Sequence, residues 1–283
     1  MARIEPIEAR YVYITVQGIE YRVHYEEAGK GIPLICMHSS GCESSEWRYM
    51  LNDPDVTAKF RVIAFDLPYH AKSLPPESIE WWKMEYKLTR NYFMDVIVEF
   101  SRALELDRPV YLGDATGGCI APYLALNYPD IFRAVVAFEI GLLGGPATLE
   151  IFYHPQIGNE LRRANAMYFC APTSPEKYRR LVSWCSMLTA PPVVKGDMFL
   201  GFFDHDLTGL AEKIDTSRCA VYLLTGEYDP ASSVEDTAEL ARHIKGAKFT
   251  PMKGISHSGM AENPPVVKGY LMPILDEISA SLK

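Results

Sequence analysis

The chain has 283 residues, 48% hydrophobic and 23% charged, which suits one folded domain, or one domain carrying an insertion, and excludes a disordered polypeptide. A formal charge of −8 argues against a nucleic-acid partner, which needs a basic face. No run approaches the roughly 20 apolar residues of a membrane span, and the first ten residues carry no apolar signal segment, so a reduced, cytoplasmic protein is expected. The six cysteines (Cys36, Cys42, Cys119, Cys170, Cys185, Cys219) include no C-x-x-C pair and read as buried thiols rather than zinc or redox ligands.

In chain order, residues 11–26 read as two strands around the turn Gln17-Gly18. Short apolar runs follow at 33–37, 61–65, 110–112, 134–138, 220–224 and 248–252, each too short for a helix and each ending at Gly, Asp, Glu or His. Such runs read as strands buried on both faces of a parallel sheet. Helical stretches separate them: 89–106, with the apolar face Phe93, Ile97, Phe100 and Leu104, then 116–127, 233–244 and 266–282. Pro122 falls inside the second, where it costs a backbone hydrogen bond. Strands alternating with helices imply a doubly wound α/β sheet. One segment breaks the alternation. Residues 141–210 are rich in bulky side chains, punctuated by Pro and Gly, and are expected to form a helical cap on a core made of 1–140 and 211–283.

The sharpest local signal is Y-L-G-D-A-T-G-G at 111–118. In a nucleophile elbow, G-x-S-x-G, a strand turns so tightly into a helix that side chains two positions either side of the tip would collide. Gly113 and Gly117 occupy those places, and Gly118 lets the helix approach its neighbours. M-H-S-S-G at 37–41, F-D-L-P-Y-H-A-K-S at 65–73, L-L-T-G-E-Y-D-P at 223–230 and G-I-S-H-S-G-M-A-E-N-P at 254–264 follow strands in the same order.

With these five motifs the chain resembles the α/β-hydrolase superfamily over nearly its whole length, in the branch with a cap after the sixth strand. The resemblance implies an α/β-hydrolase fold and the order nucleophile, acid, histidine. His257 is then the general base and Asp229 the orienting carboxylate, with Glu139, after the sixth strand, as the other position for the acid. The oxyanion hole would combine the N–H of Thr116 with that of Ser40. Three departures stand out: Ser39 where relatives have glycine, Tyr69-His70-Ala71 where they often show Gly-His-Gly, and Ala115 where the attacking serine is expected. Tyr69 and His70 read as structural. Alanine cannot form an acyl-enzyme, and neither Thr116 nor Asp114 faces the right way to replace the serine. Ala115 is either a deliberate Ser→Ala change or the mark of a natural pseudoenzyme.

The resemblance implies hydrolysis of an ester or lactone through Ser-His-Asp chemistry. The aromatic, Met-rich cap suggests an apolar or aromatic small-molecule substrate, with Ser39, Tyr153, His154, Tyr168 and Trp184 as candidate binding residues. Arg162, Arg163, Arg179 and Arg180 could bind a carboxylate but read first as a solvated face. The rivals are a carbon–carbon bond hydrolase of ring-cleavage products and a non-catalytic binding protein. No cofactor or metal motif is evident, and the resemblance leaves monomer or homodimer open.

Overall fold

The computed structural model describes residues 2–86, 88–144 and 158–281, without the side chains of 158–161 and 191. Eight strands form one sheet in the order β1-β2-β4-β3-β5-β6-β7-β8. They are β1 (Glu8–Val16), β2 (Ile19–Ala28), β3 (Ile32–Met37), β4 (Phe60–Phe65), β5 (Val110–Asp114), β6 (Ala134–Phe138), β7 (Ala220–Gly226) and β8 (Lys248–Met252). β2 is antiparallel to β1 and to β4, and every pair from β4 to β8 is parallel. The hairpin between β1 and β2 turns through Gln17 and Gly18, both at positive φ, as a two-residue turn matched to strand twist requires.

Strand alternation builds two cores from single strands. Ile35, Met37, Ile63, Phe65, Tyr111, Val135 and Leu223 point to one face, and Leu34, Cys36, Val62, Leu112, Val136 and Leu224 to the other. α1 (Arg48–Leu51), α2 (Pro54–Thr57), α3 (Arg90–Ala103) and α4 (Thr116–Asn127) precede an inserted group formed by α5 (Gly158–Tyr168), α6 (Glu176–Cys185) and α7 (Pro191–Phe199). The chain closes with α8 (Val234–His243), α9 (Gly259–Glu262) and α10 (Pro264–Ala280). α3, α4 and α8 contribute to the first core through Phe93, Ile97, Ile120, Leu124 and Leu240, whereas α1, α2 and α10 contribute to the second through Met50, Val56, Leu271 and Leu275. Helices on both faces of a mostly parallel sheet make the doubly wound arrangement.

The ends of the helices are set locally. Thr89 caps α3 by accepting the N–H of Tyr92, and Ser233 and Asp236 form a reciprocal capping box on α8. Pro122 is accommodated inside α4 and buried there, so the expected lost bond does not break the helix.

α5, α6 and α7 fall between β6 and β7 and lie over the carboxyl ends of the strands. Arg162 and Asp197 reach the loop after β3, Asp197 also reaches the loop after β4, and the C=O of Phe169 accepts the N–H of His257 after β8. Among the described residues, no helix is long and apolar enough to cross a membrane.

Candidate active site

β5 ends at Asp114, α4 starts at Thr116, and the turn between them is the single residue Ala115. Ala115 sits at φ 48° and ψ −107°, a conformation that L-residues avoid and that persists only where packing imposes it. The glycines around it make this possible. A Cβ on Gly113 would lie 2.3 Å from the Gly117 carbonyl carbon, and one on Gly117 would lie 2.8 Å from the Met37 carbonyl oxygen. The turn is therefore built as the sequence predicts, with alanine at its tip.

Two and three strands away, β7 and β8 carry the other two predicted residues. His257 Nδ1 lies 3.0 Å from both carboxylate oxygens of Asp229. Nδ1 must carry the proton to make this contact, which leaves Nε2 as the basic nitrogen. Burial lowers the basicity of His257, but the charge and hydrogen bond of Asp229 outweigh it, so its pKa is raised above the ordinary 6.5. Glu139, at the end of β6, approaches the same Nδ1 at 3.7 Å and accepts the Gly259 N–H at 3.2 Å. Asp229 is thus the hydrogen-bonded acid, with Glu139 beside it. Glu262 anchors the loop that holds His257: it accepts the Ser256 N–H, and from the insertion the Ala171 N–H and the Ser174 hydroxyl.

The loop after β3 faces the elbow. Ser39 gives its N–H and hydroxyl to Glu46 at 2.8 and 3.0 Å, and Gly41 gives its N–H to Asp197 at 2.7 Å. Ser40, between them, keeps its N–H out of these bonds, and its hydroxyl contacts the Thr116 hydroxyl. The Thr116 N–H, at the start of α4, is one of the first-turn donors with no partner inside its helix. The hydroxyl contact thus sets Ser40 beside Thr116, the two residues whose N–H groups are expected to form the oxyanion hole. Beneath them His38 accepts the Leu67 N–H on Nε2 and donates from Nδ1 to the Ser39 carbonyl, and burial together with the nearby charge of His70 lowers its pKa to about 4. It is a neutral brace for the loop.

Residues 33–216 match the family model described as alpha/beta hydrolase fold. The chain belongs to the α/β-hydrolase fold family. Over 141 residues it is 32% identical to the bifunctional epoxide hydrolase 2 of Rattus norvegicus, covering 49% of this chain and 24% of that protein. Over 146 residues it is 31% identical to the 2-hydroxy-6-oxononadienedioate/2-hydroxy-6-oxononatrienedioate hydrolase of Paraburkholderia phymatum, covering 50% of this chain and 48% of that one. The chain thus spans less than half the length of either relative. A thermophilic esterase from Thermogutta terrifontis superposes with a TM-score of 0.75 at 20% identity, over 95% of this chain and 99% of that one, a likeness of fold.

The elbow stands among buried carboxyl groups. Asp114 is buried with neither carboxyl oxygen accepting a hydrogen bond from an N–H or hydroxyl, and burial followed by the charge of Glu46 holds it well above the usual carboxylate range. Burial, Asp114 and Asp229 push Glu139 the same way. Neighbouring buried carboxyls cannot all ionise, so burial and mutual repulsion favour the protonated forms of Asp114 and Glu139. Glu139, Asp229 and His257 offer ligand atoms within 4.8 Å of one another, a closeness set by the Asp229–His257 hydrogen bond and the 3.7 Å approach of Glu139.

The substrate-binding expectations fare less well. Ser39 spends its polar groups on Glu46 rather than on a ligand. Tyr168 and Trp184 are 73% and 63% exposed, because each lies on the solvent side of its helix, so neither ring lines an enclosed site. Tyr153 and His154 lie outside the described residues. Of the four arginines, Arg180 pairs with Glu176 on the surface and Arg163 is exposed, as a solvated face requires. Arg162 departs from that reading. It is 7% exposed and donates to the Gly41 carbonyl at 2.8 Å. Sequence reasoning passed over Glu46, seven residues from its partner Ser39, and Asp197 and Glu262, whose roles rest on long-range contacts. Only Glu262 stood inside a quoted motif.

Proposed function

We propose that this is the site of a serine-type hydrolase acting on a carboxylic ester or lactone, with Ala115 standing at the nucleophile position. The observation that carries the reading is the strained turn at Ala115, set beside two unengaged N–H groups and served by an Asp229-oriented imidazole. A serine at the tip would give its proton to His257 Nε2 and attack the carbonyl carbon, while the Ser40 and Thr116 N–H groups receive the developing oxyanion. His257 would then protonate the leaving alkoxide, and water would release the acyl group by the reverse sequence. With alanine, binding and carbonyl polarisation remain but no acyl-enzyme forms. An apolar or aromatic substrate accords with the composition of the insertion.

Restoring Ala115→Ser tests this directly, with aryl esters, lactones and a fluorophosphonate probe. Turnover and labelling in the serine form alone support a disabled hydrolase. A folded serine form that neither labels nor hydrolyses favours a ligand-binding pseudohydrolase.

A second reading has one specific observation in its favour. The buried Arg162 guanidinium beside the oxyanion loop could receive the carboxylate of a keto acid, and the Paraburkholderia relative is named for hydrolysis of such compounds. The serine form assayed on ring-cleavage keto acids would distinguish this carbon–carbon hydrolase from an esterase.

A further inference from the structure

The loop that carries Ser40 is held by the inserted helices as well as by the sheet below it. Gly41 lies between two of them. Its N–H donates to Asp197 Oδ2 of α7, and its C=O accepts from Arg162 of α5. The fit is tight enough that a Cβ on Gly41 would lie 2.5 Å from the Arg162 terminal nitrogen and 2.8 Å from a Val194 methyl. Asp197 is completely buried, and the same Oδ2 takes a 2.8 Å hydrogen bond from His70 Nε2. His70 Nδ1 in turn faces the Pro68 carbonyl at 3.1 Å. With an acceptor on each ring nitrogen, His70 must donate from both, which makes it an imidazolium. The groups around it agree: the His38 ring lies tilted at 4.8 Å and is neutral, Tyr86 packs edge-on, and Asp66 and Asp197 supply negative charge.

We propose that Asp197 is a positioning residue for the oxyanion hole, so that the hole is complete only when the inserted helices are seated. Glu46 fixes the Ser39 side of the tip from within the sheet domain, and Asp197 fixes the Gly41 side from the insertion. The Ser40 peptide is held between them. This rests on the hole assigned above to Ser40 and Thr116. The acceptor at Gly41 is what matters for the hole, while the charge of Asp197 serves His70. Asparagine can keep both contacts with its amide oxygen in the Oδ2 place, accepting from the Gly41 N–H and from the Nε2–H of a neutral His70.

The test uses Asp197→Ala, Asp197→Asn and, as a control elsewhere on α7, Lys195→Ala. Each is made in the chain as it stands and in its Ala115→Ser form. Amide exchange by NMR in the alanine chain reads the loop without any activity. Asp197→Ala should speed exchange at Gly41 and Ser40 at least tenfold, with Asp197→Asn and Lys195→Ala close to the parent. Nitrogen shifts of His70 should show an imidazolium in the parent and a neutral ring in Asp197→Asn. In the serine form, with p-nitrophenyl butyrate, Asp197→Ala should lower kcat ten- to a hundredfold and leave KM within threefold, and asparagine should restore most of the loss. Unchanged exchange at Ser40 and Gly41, an equal loss in Lys195→Ala, or an effect confined to KM would each overturn the proposal. Should Asp197→Ala not fold, Arg162→Met carries the same measurement from the carbonyl side of Gly41. An inactive but folded serine form would count against the hydrolase reading alone, since amide exchange still decides the clamp.

Discussion

Asp229 and Glu139 bring carboxyl oxygens to one nitrogen of His257, at 3.0 and 3.7 Å, and only the nearer is a hydrogen bond. The two acids come from different strand ends, β7 and β6, and burial, then the charge of Asp114, raises the pKa of Glu139. The hydrogen-bond geometry makes Asp229 the orienting group.

The first prediction follows from that division. In the Ala115→Ser form, Asp229→Asn presents an amide to the imidazole and stabilises the wrong tautomer, which should lower kcat by about 10⁴. Glu139→Gln keeps nearly the same shape at a position that makes no hydrogen bond to Nδ1, so kcat should fall less than about tenfold. Steady-state kinetics of the two variants on one aryl ester decides it. Equal losses would mean that the acids share the role.

The pH dependence of the serine form has a fixed sign. His257 must be neutral to act as base, and its folded pKa lies above the ordinary 6.5 because Asp229 overcomes the effect of burial. The acid limb of kcat/KM should therefore have its midpoint above 6.5, with activity falling as pH drops through it. Asp229→Asn should move that midpoint down. A midpoint below 6 in the parent would contradict the charge assigned to Asp229.

The division between what was legible in the sequence and what was not has a physical cause. The sheet strands alternate between two cores, so their short apolar runs identify them, and α4 spans the predicted 116–127 because the elbow fixes its start. The elbow, Asp229 and His257 were legible for a related reason: each follows a strand end and sits in a local motif. Asp197 gives no such signal. It lies in the inserted α7, 127 residues from its partner His70 and 156 from Gly41, and only tertiary packing brings the three together. The Tyr69-His70-Ala71 departure was visible but its meaning was not. Tyr69 and Ala71 both adopt positive φ, the conformation that the glycines of relatives would enter freely, and the strain places His70 against Asp197.

That pair gives a stability prediction. Burial lowers the pKa of His70, but the charge and hydrogen bond of Asp197 raise it by more, so its folded value exceeds its unfolded value near 6.5. A raised pKa contributes stability that is fully present below the unfolded value and is lost as pH rises through the folded one. Asp197→Asn removes the charge and keeps neutral hydrogen bonds, so it should cost on the order of 1 kcal/mol at pH 6 and less at pH 9. Urea unfolding of parent and variant at both pH values measures the difference, in which the contribution of His257 cancels. A cost that grew with pH would show His70 to be neutral in the folded chain.

The last prediction concerns the tip itself. A residue with a Cβ at φ 48°, ψ −107° carries strain of about 1–3 kcal/mol. Ala115→Gly relieves that strain and gives back about 0.4–1 kcal/mol through the greater freedom of glycine in the unfolded chain. The net effect should be a gain of about 1 kcal/mol in urea unfolding. Ala115→Ser keeps the Cβ and the strain, so it should lie within about 0.5 kcal/mol of the parent. The strain would then belong to the turn that presents residue 115, whatever side chain stands there. A glycine variant no more stable than the parent would show that the surrounding packing, with Gly113 against Gly117, makes this backbone no more costly for alanine than for glycine.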